Sequence, residues 1–198
     1  MDPSSEQGQF FANQAEWAQW LARHHGNVDG IWMKLAKKGA PQPALSQAEA
    51  LEVALCFGWI DGQRKALDAQ YCLQRYTPRR ARSIWSKINR DKALAYIEQG
   101  KMQPSGMAEI ERARKDGRWD AAYDAASVAT VPADLQAALD ADPAAAAFFP
   151  LLTAQNRYAI LFRTQAAKKP ETRARRIAQF IAMLARGETI YPQRKRPQ

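Results

Sequence analysis

A chain of 198 residues, 46% of them hydrophobic, can bury a core without disulfide or metal staples and fits one domain with at most a small appendage. No run of about 18 apolar residues occurs, which excludes a membrane-spanning helix of ordinary length. The net charge of +9 is unevenly laid, at −2 over residues 1–74, +6 over 75–105, −4 over 106–156 and +9 over 157–198. Such blocks either await an anionic partner, such as nucleic acid or a phosphorylated ligand, or answer one another within the fold.

The N-terminus carries Asp2 and Glu6 and no apolar core behind them, so no export signal is expected and the expected location is the cytoplasm. Residues 1–9 read as a flexible leader. Asn13 with Glu16 has the spacing of a helix start, and Trp17, Trp20, Leu21 and His24 then share one helical face. Ile31, Met33 and Leu35 alternate with Trp32, Lys34 and Ala36, the two-residue period of a strand with one buried face. A proline-rich loop follows Lys37-Lys38-Gly39. Ser46 and Glu49 form a capping box before a short helix that ends near Gly58. A hairpin is expected from Ile60 to Leu67, turning at Asp68-Ala69, and back from Tyr71 to Tyr76, with Thr77-Pro78 closing it.

Helices are expected afterwards. Ser83 and Asn89 are natural caps, Asn89 for a helix ending at Gly100; Ser105 can cap the next, Pro132 can open another, Thr153 a fourth, and Pro170 the last, which Gly187 ends. The predicted class is α+β, with a small antiparallel sheet of about three strands and a predominantly helical C-terminal half. One domain is expected over 10–187, mixed over 10–123 and helical over 132–187, with Asp124 to Val131 as a joint and 188–198 as a mobile basic tail.

Cys56 and Cys72 lack zinc or redox spacing and read as reduced core thiols. The adjacent His24 and His25 point about 100° apart on a helix and cannot share one ligand. No phosphate loop, H-E-x-x-H or G-x-S-x-G motif is found, and neither cofactor nor metal is expected. The chemically loaded stretch is Cys56 to Asn89. Arg75, Arg79, Arg80 and Arg82 offer guanidinium forks, with Arg79 and Arg80 on a turn; Trp59, Tyr76 and Trp85 offer planar faces, and Asp61, Ser83, Ser86 and Asn89 offer polar groups. Each has a structural alternative as core, turn or cap. A second cluster, Asp116-Gly117-Arg118-Trp119-Asp120, makes Trp119 and Asp120 candidates. A third puts Arg173 and Arg176 on one face of the last helix, where pairing with the acidic block competes with ligand contact.

The motifs Ala54-Leu-Cys-Phe-Gly-Trp-Ile-Asp-Gly62, Arg75-Tyr-Thr-Pro-Arg79, Ser83-Ile-Trp-Ser-Lys-Ile-Asn89, Gly100-Lys-Met102, Asp116-Gly-Arg-Trp-Asp120 and Glu171-Thr-Arg173 with Arg176 span most of residues 10–187. In them the chain resembles the bacterial YdeI/OmpD-associated family, also labelled bacteriocin-protection proteins. The resemblance implies a link with tolerance of bacteriocins and cationic antimicrobial peptides, and it carries no catalytic residues across. Some members are described as envelope-associated, which the missing export signal does not match.

Three functions stay open. The first is a binding protein for a small anionic molecule, held between the 59–89 segment and the helical half, with Arg79 and Arg80 clamping the anion and Trp59 or Trp85 stacking. The second is a nucleic-acid-binding protein using the basic blocks 75–105 and 157–198. The third is an enzyme with Asp61 or Asp120 as general base.

Overall fold

The computed structural model describes residues 8–37, 39–40 and 45–193. Most of the expected flexible leader, part of the proline-rich loop and the end of the basic tail lie outside the described residues. The chain divides into two compact units, Met1–Ala122 and Tyr123–Gln198. The described residues form eight α-helices, one 3-10 turn and one three-stranded antiparallel sheet, the α+β class expected.

In the first unit, helix α1 (Gln14–His24) starts where the Asn13 side chain accepts the Glu16 amide, and the Glu16 carboxylate accepts the Ala12 amide. Strand β1 (Ile31–Ala36) is followed by α2 (Gln47–Cys56), whose Ser46–Glu49 capping box is complete. Strands β2 (Trp59–Ala66) and β3 (Tyr71–Pro78) make the hairpin. Asp68 closes its turn by accepting the amides of Gln70 and Tyr71. Helices α3 (Lys87–Glu98) and α4 (Pro104–Lys115) complete the unit.

The sheet order is β1-β3-β2, so the hairpin's second strand is central. Pro78 sits in that central strand, beyond the closing role expected for it. It can do so because β1 pairs no further than Ile31↔Tyr76, so on that side no partner asks Pro78 for an N–H. Gln9, expected in the flexible leader, is instead paired with β1: its amide donates to Trp32 O at 2.7 Å and its carbonyl accepts from Lys34 N at 2.9 Å.

The strand periodicity sends Met33, Leu35, Cys72 and Tyr76 into a core shared with Trp17, Leu21, Leu55 and Trp59. Trp17 donates its indole N–H to Ala50 O at 3.1 Å, fixing α1 on α2. Close packing between α2 and α4 depends on Gly106, where a Cβ would stand 2.2 Å from Cys56 O.

Some caps differ from expectation. Ser86, not Asn89, caps α3 by accepting the Asn89 amide at 3.2 Å. Ser83 is not a helix cap; its hydroxyl accepts the Arg80 amide and closes a turn. Gln103 with Pro104 starts α4, so Ser105 lies inside the helix. In each case two or three polar residues compete locally, and the chain path selects one.

The second unit holds α5 (Ala133–Asp140), α6 (Pro143–Phe148), the 3-10 turn Phe149–Leu151, α7 (Ala154–Gln165) and α8 (Pro170–Ala185). Its core is Leu135, Leu139, Phe149, Ile160, Ile177, Phe180 and Leu184. Tyr191 and Gln193, expected in the mobile tail, are tied down. Asn156, almost wholly buried at the start of α7, donates to Tyr191 O at 3.0 Å and to Gln193 Oε1 at 2.9 Å, and accepts from Tyr191 N at 2.8 Å.

Candidate functional site

The first two clusters expected from sequence meet inside the first unit. Trp85 and Trp119 pack edge to face with ring centroids 4.9 Å apart. Arg79 is buried at 5% exposure, its guanidinium 3.6 Å from the centre of the Trp85 ring and donating to Ile84 O at 3.3 Å. Arg118 donates to Ser83 O and pairs with Asp116 at 2.8 Å. Arg112 pairs with Glu109 and donates to Arg79 O. The three guanidiniums thus tie the 79–85 turn to α4 and the segment after it.

Glu109 stands among Arg112, Arg79 and Arg118, yet partial burial outweighs their attraction and raises its carboxyl above the ordinary value. Asp116, held by the Arg118 side chain, is lowered. Glu109 and Arg112 were missed from sequence. Their i, i+3 spacing reads as an ordinary surface pair, and only the fold shows the buried arginine beside it.

The remaining candidates of this unit separate by burial. Trp59 and Trp85 are 1% exposed and Trp119 is 7% exposed, so none offers a ring face to solvent. The Trp59 indole donates to His25 O at 3.2 Å, at the end of α1. Asp61 is half-buried opposite Tyr76, where β2 bulges between Asp61 and Arg64, and Gln74 fills the bulge by donating to the carbonyls of Gly62 and Gln63. Burial raises the Tyr76 hydroxyl well above its usual value. Asn89 is half-buried in the first turn of α3, Asp120 is exposed, and Arg80 is exposed on the turn.

A group of which the sequence singled out only Arg75 lies on the face of the sheet turned away from the core. Cross-strand register puts Trp32 opposite Arg75, and Leu73 opposite both Lys34 and Lys65. The Lys65 ammonium lies 4.4 Å from the Trp32 ring centre, Arg75 5.9 Å from the same centre, and the Lys34 ammonium 4.0 Å from that of Tyr71. Lys34, Lys65 and Arg75 therefore come from three different strands and face one side. Among the described residues none of them forms an ion pair. Asp68, the carboxylate that feels Lys34, is held by the amides of Gln70 and Tyr71, which lower its pKa. The alternation of Trp32 and Lys34 in β1 was the available signal; the partners Lys65 and Arg75 needed the strand order.

In the second unit, Arg173 and Arg176 of α8 act on the end of α7. Arg173 donates to Thr164 O at 2.8 Å and Arg176 to Arg163 O at 2.7 Å, satisfying last-turn carbonyls at the negative end of the helix. The rest of the Arg173 fork grips Asp134, which lowers that carboxyl. A cavity of about 700 Å³ between α5 and α8 is lined by Asp134, Arg173, Ile177 and Ile181. The guanidinium nitrogens of Arg173 are already engaged there. Among the described residues no group of His, Cys, Asp and Glu could hold a metal ion, and no helix is long and apolar enough to cross a membrane.

Together these features define a two-unit α+β protein with a helical C-terminal unit and a basic sheet face. Residues 9–109, half of the chain, match the family model described as a domain of unknown function (DUF8412), and the chain belongs to that family. Residues 128–187 match the model described as Bacteriocin-protection, YdeI or OmpD-Associated, which places the expected family link in the second unit. That match is narrower than the span of the motifs, most of which fall in residues 54–120. No curated protein and no solved structure matches the chain.

Proposed function

We propose that the protein is a cytoplasmic binding protein for an anionic ligand, acting in tolerance of bacteriocins or antimicrobial peptides. The carrying observation is the set of Lys34, Lys65 and Arg75 on one sheet face, with no carboxylate paired to any of them among the described residues. Each cation leans on an aromatic ring. A ring neutralises no charge, so the full attraction for an anion remains, while the contact reduces the freedom the side chain would lose on binding.

The tolerance setting comes from the description of the family matched by residues 128–187. Within the turn first singled out, Arg79 serves as an internal strut and Arg80 is the outward group, so the proposed contact surface moves from that turn to the sheet.

A thermal-shift screen with phosphate, pyrophosphate, sulfate and citrate tests the proposal. A ligand at about 100 times its Kd adds about 2.7 kcal/mol to stability, which is readily seen as a rise in Tm. The rise is expected with a multivalent anion and is expected to vanish in Lys34→Gln/Lys65→Gln/Arg75→Gln, while Arg80→Ala keeps it. No response to any anion, or an unchanged response in the triple variant, would overturn it. Cell fractionation checks the location.

A further inference from the structure

We infer that the anion received on the sheet face is the phosphodiester backbone of a nucleic acid, bound without base preference. The inference rests on the anion-binding proposal and narrows it.

Shape supplies the first reason. Small ligands are held in concave sites that bury most of their surface. Three cavities among the described residues, of about 700, 550 and 470 Å³, are lined by none of Lys34, Lys65, Arg75, Trp32 or Tyr71. With neighbouring strands about 4.8 Å apart, three cations on three strands spread over roughly 10 Å, room for successive charges of a chain.

Hydrogen-bond chemistry supplies the second. Lys34, Lys65 and Arg75 carry donors and no acceptors. A phosphodiester chain presents acceptors along its backbone, whereas an acidic peptide also brings backbone N–H donors that these side chains cannot satisfy.

The rings decide the mode of binding. Trp32 is 9% exposed and Tyr71 6% exposed, both under their cations. Bases therefore find no free platform to stack on, unlike the exposed aromatics of single-strand binders. Phosphate contacts alone give binding that is blind to sequence and steep in salt.

The test is fluorescence anisotropy of labelled oligothymidylate and oligoadenylate, each about 12 nucleotides long, within the site size of small single-strand modules. Three phosphate contacts at a slope of about −0.7 each weaken binding about 20-fold between 50 and 200 mM salt. Equal affinity for the two sequences is expected within about 3-fold. Lys34→Gln, Lys65→Gln and Arg75→Gln should each reduce the slope by about 0.7, with the fold checked by circular dichroism.

Three results would overturn the inference. One is no oligonucleotide binding at 50 mM salt while pyrophosphate still binds, which leaves the anion-binding proposal standing; binding of neither brings down both. Another is affinity and slope unchanged in the variants, which puts the contact elsewhere, as on the basic residues of 157–198. The third is an acidic peptide of equal charge binding as tightly through the same three cations, which makes the partner a protein.

Discussion

Arg79 and Arg80 are neighbours of the same chemistry, and replacing each by alanine separates a structural arginine from a surface one. Arg79→Ala removes a guanidinium stacked 3.6 Å from the Trp85 centre and bonded to Ile84 O. The desolvated stack is worth about 2 kcal/mol. A hydrogen bond from a charged donor adds about 1.5 kcal/mol. Relief from burying the charge takes part of that back, so a net loss of about 3 kcal/mol is expected. For a unit of this size that is a fall in Tm of about 10 °C. Arg80→Ala should stay within about 0.5 kcal/mol of the parent protein. All six tryptophans, at positions 17, 20, 32, 59, 85 and 119, belong to the first unit, so urea unfolding followed by tryptophan fluorescence reports on that unit. The structural role of Arg79 is refuted if Arg79→Ala loses less than about 1 kcal/mol or if Arg80→Ala loses as much.

Tyr76→Phe should be neutral or stabilising. The Tyr76 hydroxyl is buried with no partner among the described residues, and an unpaired buried hydroxyl costs about 1 to 3 kcal/mol. A loss of more than about 1 kcal/mol in urea unfolding would reveal a hydrogen bond the hydroxyl makes in solution. The Cys56 thiol is pushed up to about 11 by burial, with Glu52 adding to the effect. A disulfide reagent at about pH 8 should therefore leave it unmodified until denaturant is added, and rapid native-state reaction would contradict this. Asp134, lowered chiefly by its hydrogen bonds from Arg173, contributes stability that is full above its unfolded pKa and lost as pH falls through its folded pKa. The pair is partly exposed, so Asp134→Asn should cost the second unit no more than about 1 kcal/mol at neutral pH. Hydrogen exchange of the α8 amides should show that difference shrink to nothing in acid, and a difference that persisted there would refute the electrostatic origin.

What could be read from the sequence was local. Asn13, Ser46 and Thr153 cap the helices they were expected to cap, since a cap depends on a few neighbouring residues. The hairpin and its Asp68 turn were legible for the same reason. Asn89 and Ser86 show the limit: both are good caps three residues apart, and the chain entering α3 decides for Ser86.

The candidate site was legible only in part because its meaning depends on distant partners. Arg79 and Arg80 look alike in sequence, and the difference comes from Trp85 and from Arg112 on α4. Arg173 and Arg176 share a helical face as expected, but that face meets the carbonyl end of α7. Lys34 and Lys65 lie 31 positions apart and come together because β3 sits between their strands. Strand order is a property of the whole unit that no local pattern encodes.

The most direct measurement is an amide-resolved NMR titration of the full chain with pyrophosphate. Shifts concentrated at Lys34, Lys65 and Arg75 and their strand neighbours are expected, saturating with one Kd and fading as salt is raised. Shifts confined to the Arg80–Ser83 turn or to the second unit, or no shifts at all, would contradict the assignment of the sheet face as the anion-binding surface.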